Sequence, residues 1–96
     1  MELNWTKSAL EDIGAIKEYY TDKISAEILA QIVLGILNTG GKIKLSPQIG
    51  RIIDEGELRK FSVTNYSYIL TYKVKGSTAY ILQVFDTRRK PLKFSK

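Results

Sequence analysis

The spacing of apolar residues changes once along this 96-residue chain, and that change constrains the fold more than any other feature. From Ala9 to Leu45 the apolar residues recur every three or four positions, and from Gly50 onward they recur every second position. The first spacing buries one face of a helix and the second buries one face of a strand. Ser46-Pro47 separates the two regimes, since a proline disfavours helix at the residue before it.

A short strand precedes the helical part: Leu3 and Trp5 alternate with Glu2 and Asn4. Thr6 or Ser8 then caps a first helix, and Ser8 with Glu11 has the spacing of a capping box. Ala9, Ile13, Ile16 and Tyr20 form its apolar face, with Glu11, Asp12 and Glu18 opposite. After the polar turn from Thr21 to Ser25, Ser25 caps a second helix with Glu27 in its first turn. Ile28, Leu29, Ile32, Val33, Ile36 and Leu37 give this helix a broad apolar stripe, and so short a turn makes the pair an antiparallel hairpin. Its end is open to two readings. Gly40-Gly41 ordinarily stops a helix, yet Leu29, Val33, Ile36, Gly40 and Ile43 keep the helical spacing through the glycines. Each internal glycine costs on the order of 1 kcal/mol relative to alanine, so a helix reaching Leu45 is affordable.

Beyond the proline, Arg51-Ile52-Ile53 and Leu58 to Thr64 are extended segments around an Asp54-Glu55-Gly56 turn. Tyr66 to Val74 is the next strand, with Tyr68, Leu70, Tyr72 and Val74 on one face. Lys75-Gly76-Ser77 is a tight turn, and Ala79 to Phe85 is a strand apolar on both faces, as in the middle of a sheet. The order predicts an α+β fold: an N-terminal strand and a two-helix antiparallel hairpin packed on a largely antiparallel sheet of three to four further strands. Residues 1–96 make one domain, with a basic tail over 86–96.

Several chemistries are excluded outright. With no cysteine and no histidine, the chain has no disulfide, no thiolate nucleophile, no zinc–thiolate site and no imidazole base. No metal or cofactor is expected, and no small-molecule substrate. No apolar run reads as long enough to span a membrane, and Met1-Glu2 leads straight into a strand, so the expected location is the cytoplasm. The net charge of +5 is unevenly spread: residues 1–40 hold three bases and six acids, residues 41–96 twelve bases and four acids. A half that is basic by eight charges suits an anionic partner, either nucleic acid or an acidic protein segment.

In this order, these residues resemble the RelE/ParE toxin superfamily, which includes plasmid stabilisation proteins. The pieces that carry the resemblance are Trp5-Thr6 with Ala9, Ile13 and Ile16; Leu45, Pro47, Gly50 and Arg51; Leu58-Arg59; Tyr68 to Val74; and Tyr80 to Phe85 followed by Asp86-Thr87-Arg88-Arg89. The resemblance implies a small toxin held inactive by a cognate antitoxin. RelE-like members cleave messenger RNA in the ribosome, and ParE-like members poison DNA gyrase. RNA cleavage without metal needs a proton acceptor, a charge stabiliser and a proton donor. The middle of the sheet offers Ser62, Thr64, Ile69 and Thr71, and no His or Tyr follows the last strand. Arginine stabilises a phosphorane well and accepts protons poorly. The resemblance is therefore closer to the ParE-like branch, with the ribosome-dependent endoribonuclease as the alternative and a non-toxic nucleic-acid-binding module as a third reading.

Arg51, Arg59, Arg88, Arg89 and Lys90 are the candidates for gripping the target or an acidic antitoxin, with Lys60, Tyr66 and Asp86 in support. Arg51 and Arg59 could equally pair with Asp54, Glu55 or Glu57. Tyr66, beside a turn, is the tyrosine expected to be most exposed, and Asp86 is placed to orient Arg88 or Arg89.

Overall fold

The computed structural model describes residues 1–53 and 56–88. Strand β1 (Glu2–Trp5) leads into helices α1 (Lys7–Tyr20) and α2 (Ala26–Leu45). A 3₁₀ turn (Pro47–Ile49) follows, then β2 (Arg51–Ile52), β3 (Arg59–Ser62), β4 (Tyr68–Lys75) and β5 (Thr78–Asp86). The strands form one mixed sheet in the order β1-β5-β4-β3-β2. β1 lies parallel to β5, while every other neighbouring pair is antiparallel. The fold is α+β, as the change of period requires. The expected Asp54-Glu55 turn lies outside the described residues.

Thr6, not Ser8, caps α1. Its hydroxyl accepts from the Ala9 amide at 3.2 Å and donates to the Ile81 carbonyl at 2.7 Å, so one side chain caps the helix and ties it to β5. The capping-box spacing of Ser8 and Glu11 is not used, because the helix starts at Lys7 and Ser8 already lies inside it. Ser25 caps α2 as expected, accepting from the Ile28 amide at 3.1 Å.

α2 runs through both glycines to Leu45. Gly40 is buried under the Trp5 ring, where a Cβ would lie 2.4 Å from the nearest ring carbon, whereas Gly41 has open space around it. The close approach of β1 to α2 thus explains a glycine in mid-helix. An uninterrupted α2 is also long and apolar enough to cross a bilayer by length and composition, which corrects the sequence count. Its buried stripe of Ile32, Ile36, Thr39, Gly40 and Ile43 is that of a core helix.

The core lies between the hairpin and one face of the sheet. Ala9, Ile13 and Ile16 of α1 and Ile32, Ile36 and Ile43 of α2 meet Tyr68, Leu70 and Tyr72 of β4 and Ala79, Ile81 and Val84 of β5. The β5 residues change parity because the register slips: Tyr72 pairs with Ile81, but Thr71 pairs with Gln83. Leu82 is the extra residue of a bulge, which keeps Ile81 and Val84 on the same buried face. Beside it, the Asp12 carboxylate accepts from the Val84 amide at 2.9 Å. Asp12 is therefore half-buried and bonded to the sheet, not part of the solvated face that helical spacing assigned to it.

Candidate anion-binding face

Helices cover one face of the sheet, and the opposite face carries the positive charge. Residues directly opposite in neighbouring strands share a face, so the register defines its rows. Arg51 faces Lys60, Lys60 faces Thr71, and Thr71 faces Gln83, giving one row across four strands. A second row runs Lys73, Tyr80, Asn4, and a third runs Lys75, Thr78, Glu2. Arg51, Lys60, Lys73 and Lys75 thus project from one surface. Thr71 donates to the Gln83 side chain at 3.4 Å, which orders the middle of the first row. Among the described residues the only ion pair is Arg88 with Asp86, so none of these four cations is neutralised by a described carboxylate. The first row offers cations, a hydroxyl and an amide, and among the described residues it contains no carboxylate; the chain has no imidazole. Such a surface holds anions by charge and hydrogen bonding.

The structure separates the residues picked from sequence. Arg51 and Lys60 lie together on this face. Arg59, one position before Lys60, points to the helix side, where its Nη1 donates to the Gly50 carbonyl at 2.7 Å and the Gln48 carbonyl at 3.3 Å. Its described partners are these backbone groups, which fasten the 3₁₀ turn to the edge of the sheet. Tyr66 is half-buried over Gly35 of α2 and is not the exposed ring expected beside a turn. Arg89 and Lys90 lie outside the described residues.

Arg88 leaves the last strand toward α1. Its Nε lies 3.2 Å from Asp86, which also accepts from the Arg88 amide at 2.9 Å. Its Nη2 donates to the Tyr20 hydroxyl and, at 3.2 Å, to the Tyr68 hydroxyl. The guanidinium carbon sits 5.5 and 5.7 Å from the two ring centroids, within cation–π range. The hydrogen bond to Asp86 raises the Arg88 pKa further, against partial burial. Half-exposed and held by three side chains, Arg88 fixes the path of the chain as it leaves the sheet. Sequence reading did not single out Lys73, Lys75 or Gln83 as groups of this surface. The signal for them was the second face of the alternation that located the core.

Tyr68 beneath this cluster is buried. Burial first, then Asp86 and Tyr20, push its phenol up from 10.0 to about 12, with Arg88 acting in the opposite direction. The folded chain therefore holds this proton more tightly than the unfolded one. The stability this contributes is complete below pH 10 and is lost as pH rises toward 12. Urea titrations across that window should show Tyr68→Phe losing less stability than the parent. Equal losses would assign the alkaline transition to other groups.

A family model described as the ParE toxin of the type II toxin–antitoxin system parDE matches residues 3–91. Among solved structures, the chromosomal ParDE toxin–antitoxin system of P. aeruginosa superposes with a TM-score of 0.74 at 25% identity, over 90% of this chain and 95% of that one. The isolated E. coli RelE toxin superposes with a TM-score of 0.59 at 16% identity, over 96% of this chain and 89% of that one, a likeness of fold alone. A search of curated proteins gave no match.

Proposed function

This chain belongs to the ParE toxin family of type II toxin–antitoxin systems, and from that premise we propose that it inhibits its target by binding rather than by cleavage, with DNA gyrase as the target. The observation that carries this reading is the helix-free face. Arg51, Lys60, Lys73 and Lys75 supply positive charge across the strands, and the row through Lys60 continues into Thr71 and Gln83 rather than into an acid–base pair. A surface of this kind suits a stoichiometric inhibitor that docks on an acidic or nucleic-acid-bearing machine. A cognate antitoxin rich in acidic residues is the complementary partner, neutralising the toxin by covering this face. The cytoplasm, where gyrase and a freshly made antitoxin are both present, is the corresponding location.

The test is a supercoiling assay with purified protein in increasing molar excess over gyrase. Inhibition is expected, and Lys60→Glu combined with Lys73→Glu should weaken it at least 10-fold while leaving the circular dichroism spectrum intact. Full supercoiling at high molar excess would reject gyrase as the target. Primer extension on translated message after induction checks the chemistry: discrete codon-linked cuts would replace the binding reading with a ribosome-dependent endoribonuclease.

A further inference from the structure

Two aromatic rings stand among the cations of the helix-free face. In β5 the side chains of Ala79, Ile81 and Val84 enter the core, so Tyr80 and Phe85 project from the opposite side of the sheet. Neither ring belongs to the core, and both are half-buried. Five positions apart in a regular strand, they would point to opposite faces. The bulge at Leu82 removes that difference and sets both rings on one surface.

The register places polar and charged groups around them. Tyr80 is paired with Lys73 on β4 and with Asn4 on β1. Phe85 is paired with Ile69, and the row of Lys60, Thr71 and Gln83 lies between the two rings. From the row of Ile69 to that of Lys73 is about 14 Å along β4, so the rings take separate groups of a ligand rather than clamping one. Lys73 and Lys75 stand about 7 Å apart on the same strand, a spacing that suits successive phosphates of an extended nucleic-acid strand. Glu2, at the outer end of the third row, is the only acid that the described strand pairing sets on this face.

Rings interleaved with unneutralised cations narrow the class of anion. An acidic polypeptide answers the charges and leaves the rings without a planar partner. A duplex presents phosphates but keeps its bases stacked on one another, beyond the reach of a ring standing on a sheet. A single strand presents both, a charged backbone and free base faces. We propose that the helix-free face binds single-stranded nucleic acid, stacking bases on Tyr80 and Phe85 and holding phosphates with Arg51, Lys60, Lys73 and Lys75. Thr71 and Gln83, between the rings, offer a hydroxyl and an amide to base edges. The proposal rests on this face being the docking surface proposed above, and not on gyrase being the target.

Fluorescence anisotropy on the purified chain tests it, with labelled oligo(dT) and oligo(rU) of about a dozen nucleotides, a duplex of the same length, and polyglutamate. Single strands should bind at least 10-fold more tightly than the duplex or polyglutamate. Binding of either strand supports the proposal, and the tighter of the two names the sugar. The logarithm of the affinity should fall against the logarithm of salt with a slope of about −3, as four phosphate contacts on a single strand require. Lys73→Gln should flatten that slope by roughly 0.7. Tyr80→Ala should weaken binding about 10-fold at unchanged slope, and Tyr80→Phe, which keeps the ring, should bind like the parent. Circular dichroism checks that each variant is folded. A duplex or polyglutamate bound as tightly as the single strands would overturn the proposal, and so would a folded Tyr80→Ala that binds as well as the parent. A chain that binds oligonucleotide but leaves supercoiling untouched upholds this proposal without the gyrase reading. One that inhibits gyrase and binds no oligonucleotide overturns this proposal alone.

Discussion

Tyr72→Phe is expected to destabilise the chain by about 2–4 kcal/mol, removing one oxygen atom from a fully buried ring. The hydroxyl donates to the Pro47 carbonyl at 2.6 Å and accepts from the Gly50 amide at 2.9 Å. Both partners belong to the short segment that carries the chain from α2 to β2. Without the hydroxyl, an amide and a carbonyl are left unpaired against the ring edge, and an orphaned buried group costs roughly 1–3 kcal/mol. A Cβ on Gly50 would lie 2.7 Å from Tyr72 and 3.0 Å from the Lys60 carbonyl, which shows how closely this backbone is held against the ring. Urea denaturation should show a lower midpoint at unchanged slope. A loss under about 0.5 kcal/mol would mean that solvent reaches Pro47 and Gly50, in which case the hydroxyl is not what fastens the segment.

Two adjacent glycines are expected to respond to alanine with opposite signs. Gly40→Ala gains about 1 kcal/mol of helix propensity, but its methyl group falls 2.4 Å from the Trp5 ring, within contact of Leu3 as well. Overpacking of this kind costs roughly 1–3 kcal/mol and more where a rigid ring must move, so the net effect is a loss of about 1–2 kcal/mol. Gly41→Ala meets nothing within 4 Å and keeps most of the helical gain, a stabilisation of about 0.5–1 kcal/mol. Urea midpoints measured on dilute protein decide the matter. Equal shifts for the two variants would show that Trp5 yields freely and that Gly40 is not required by packing.

What could be read from the sequence was local. Ala9, Ile13 and Ile16 declared their helix face by spacing, and Tyr68, Leu70 and Tyr72 declared their strand face by alternation. Ser25 announced the start of α2. What escaped depends on partners far along the chain. Asp12 looked like a solvated acid because its partner, the Val84 amide, lies 72 positions away. The parity of β5 was hidden because a bulge at Leu82 has no sequence signature among apolar neighbours. Gly40 looked like a stop until the Trp5 ring was placed on it. At the candidate site, the positive charge was legible but its division was not. Arg59 and Lys60 are adjacent in sequence and face opposite sides of the sheet, while Arg88 is taken up by Asp86, Tyr20 and Tyr68. Lys73 and Lys75 follow from the same alternation that exposed the core, read on its other phase.

The parallel pairing of β1 with β5 also fixes a timetable for synthesis. Leu3 pairs with Ala79 and Trp5 with Ile81, and the Thr6 hydroxyl closes on the Ile81 carbonyl across 75 positions. β1 has no edge to join until β5, some 75 positions later, has been made, and contacts of such long range form slowly. A nascent or truncated chain lacking β5 leaves Trp5 without its sheet and α1 without the tether at its cap. The basic face, assembled from β2 through β5, is incomplete over the same interval. The architecture thus withholds a finished sheet, and with it a finished basic face, until β5 has been made.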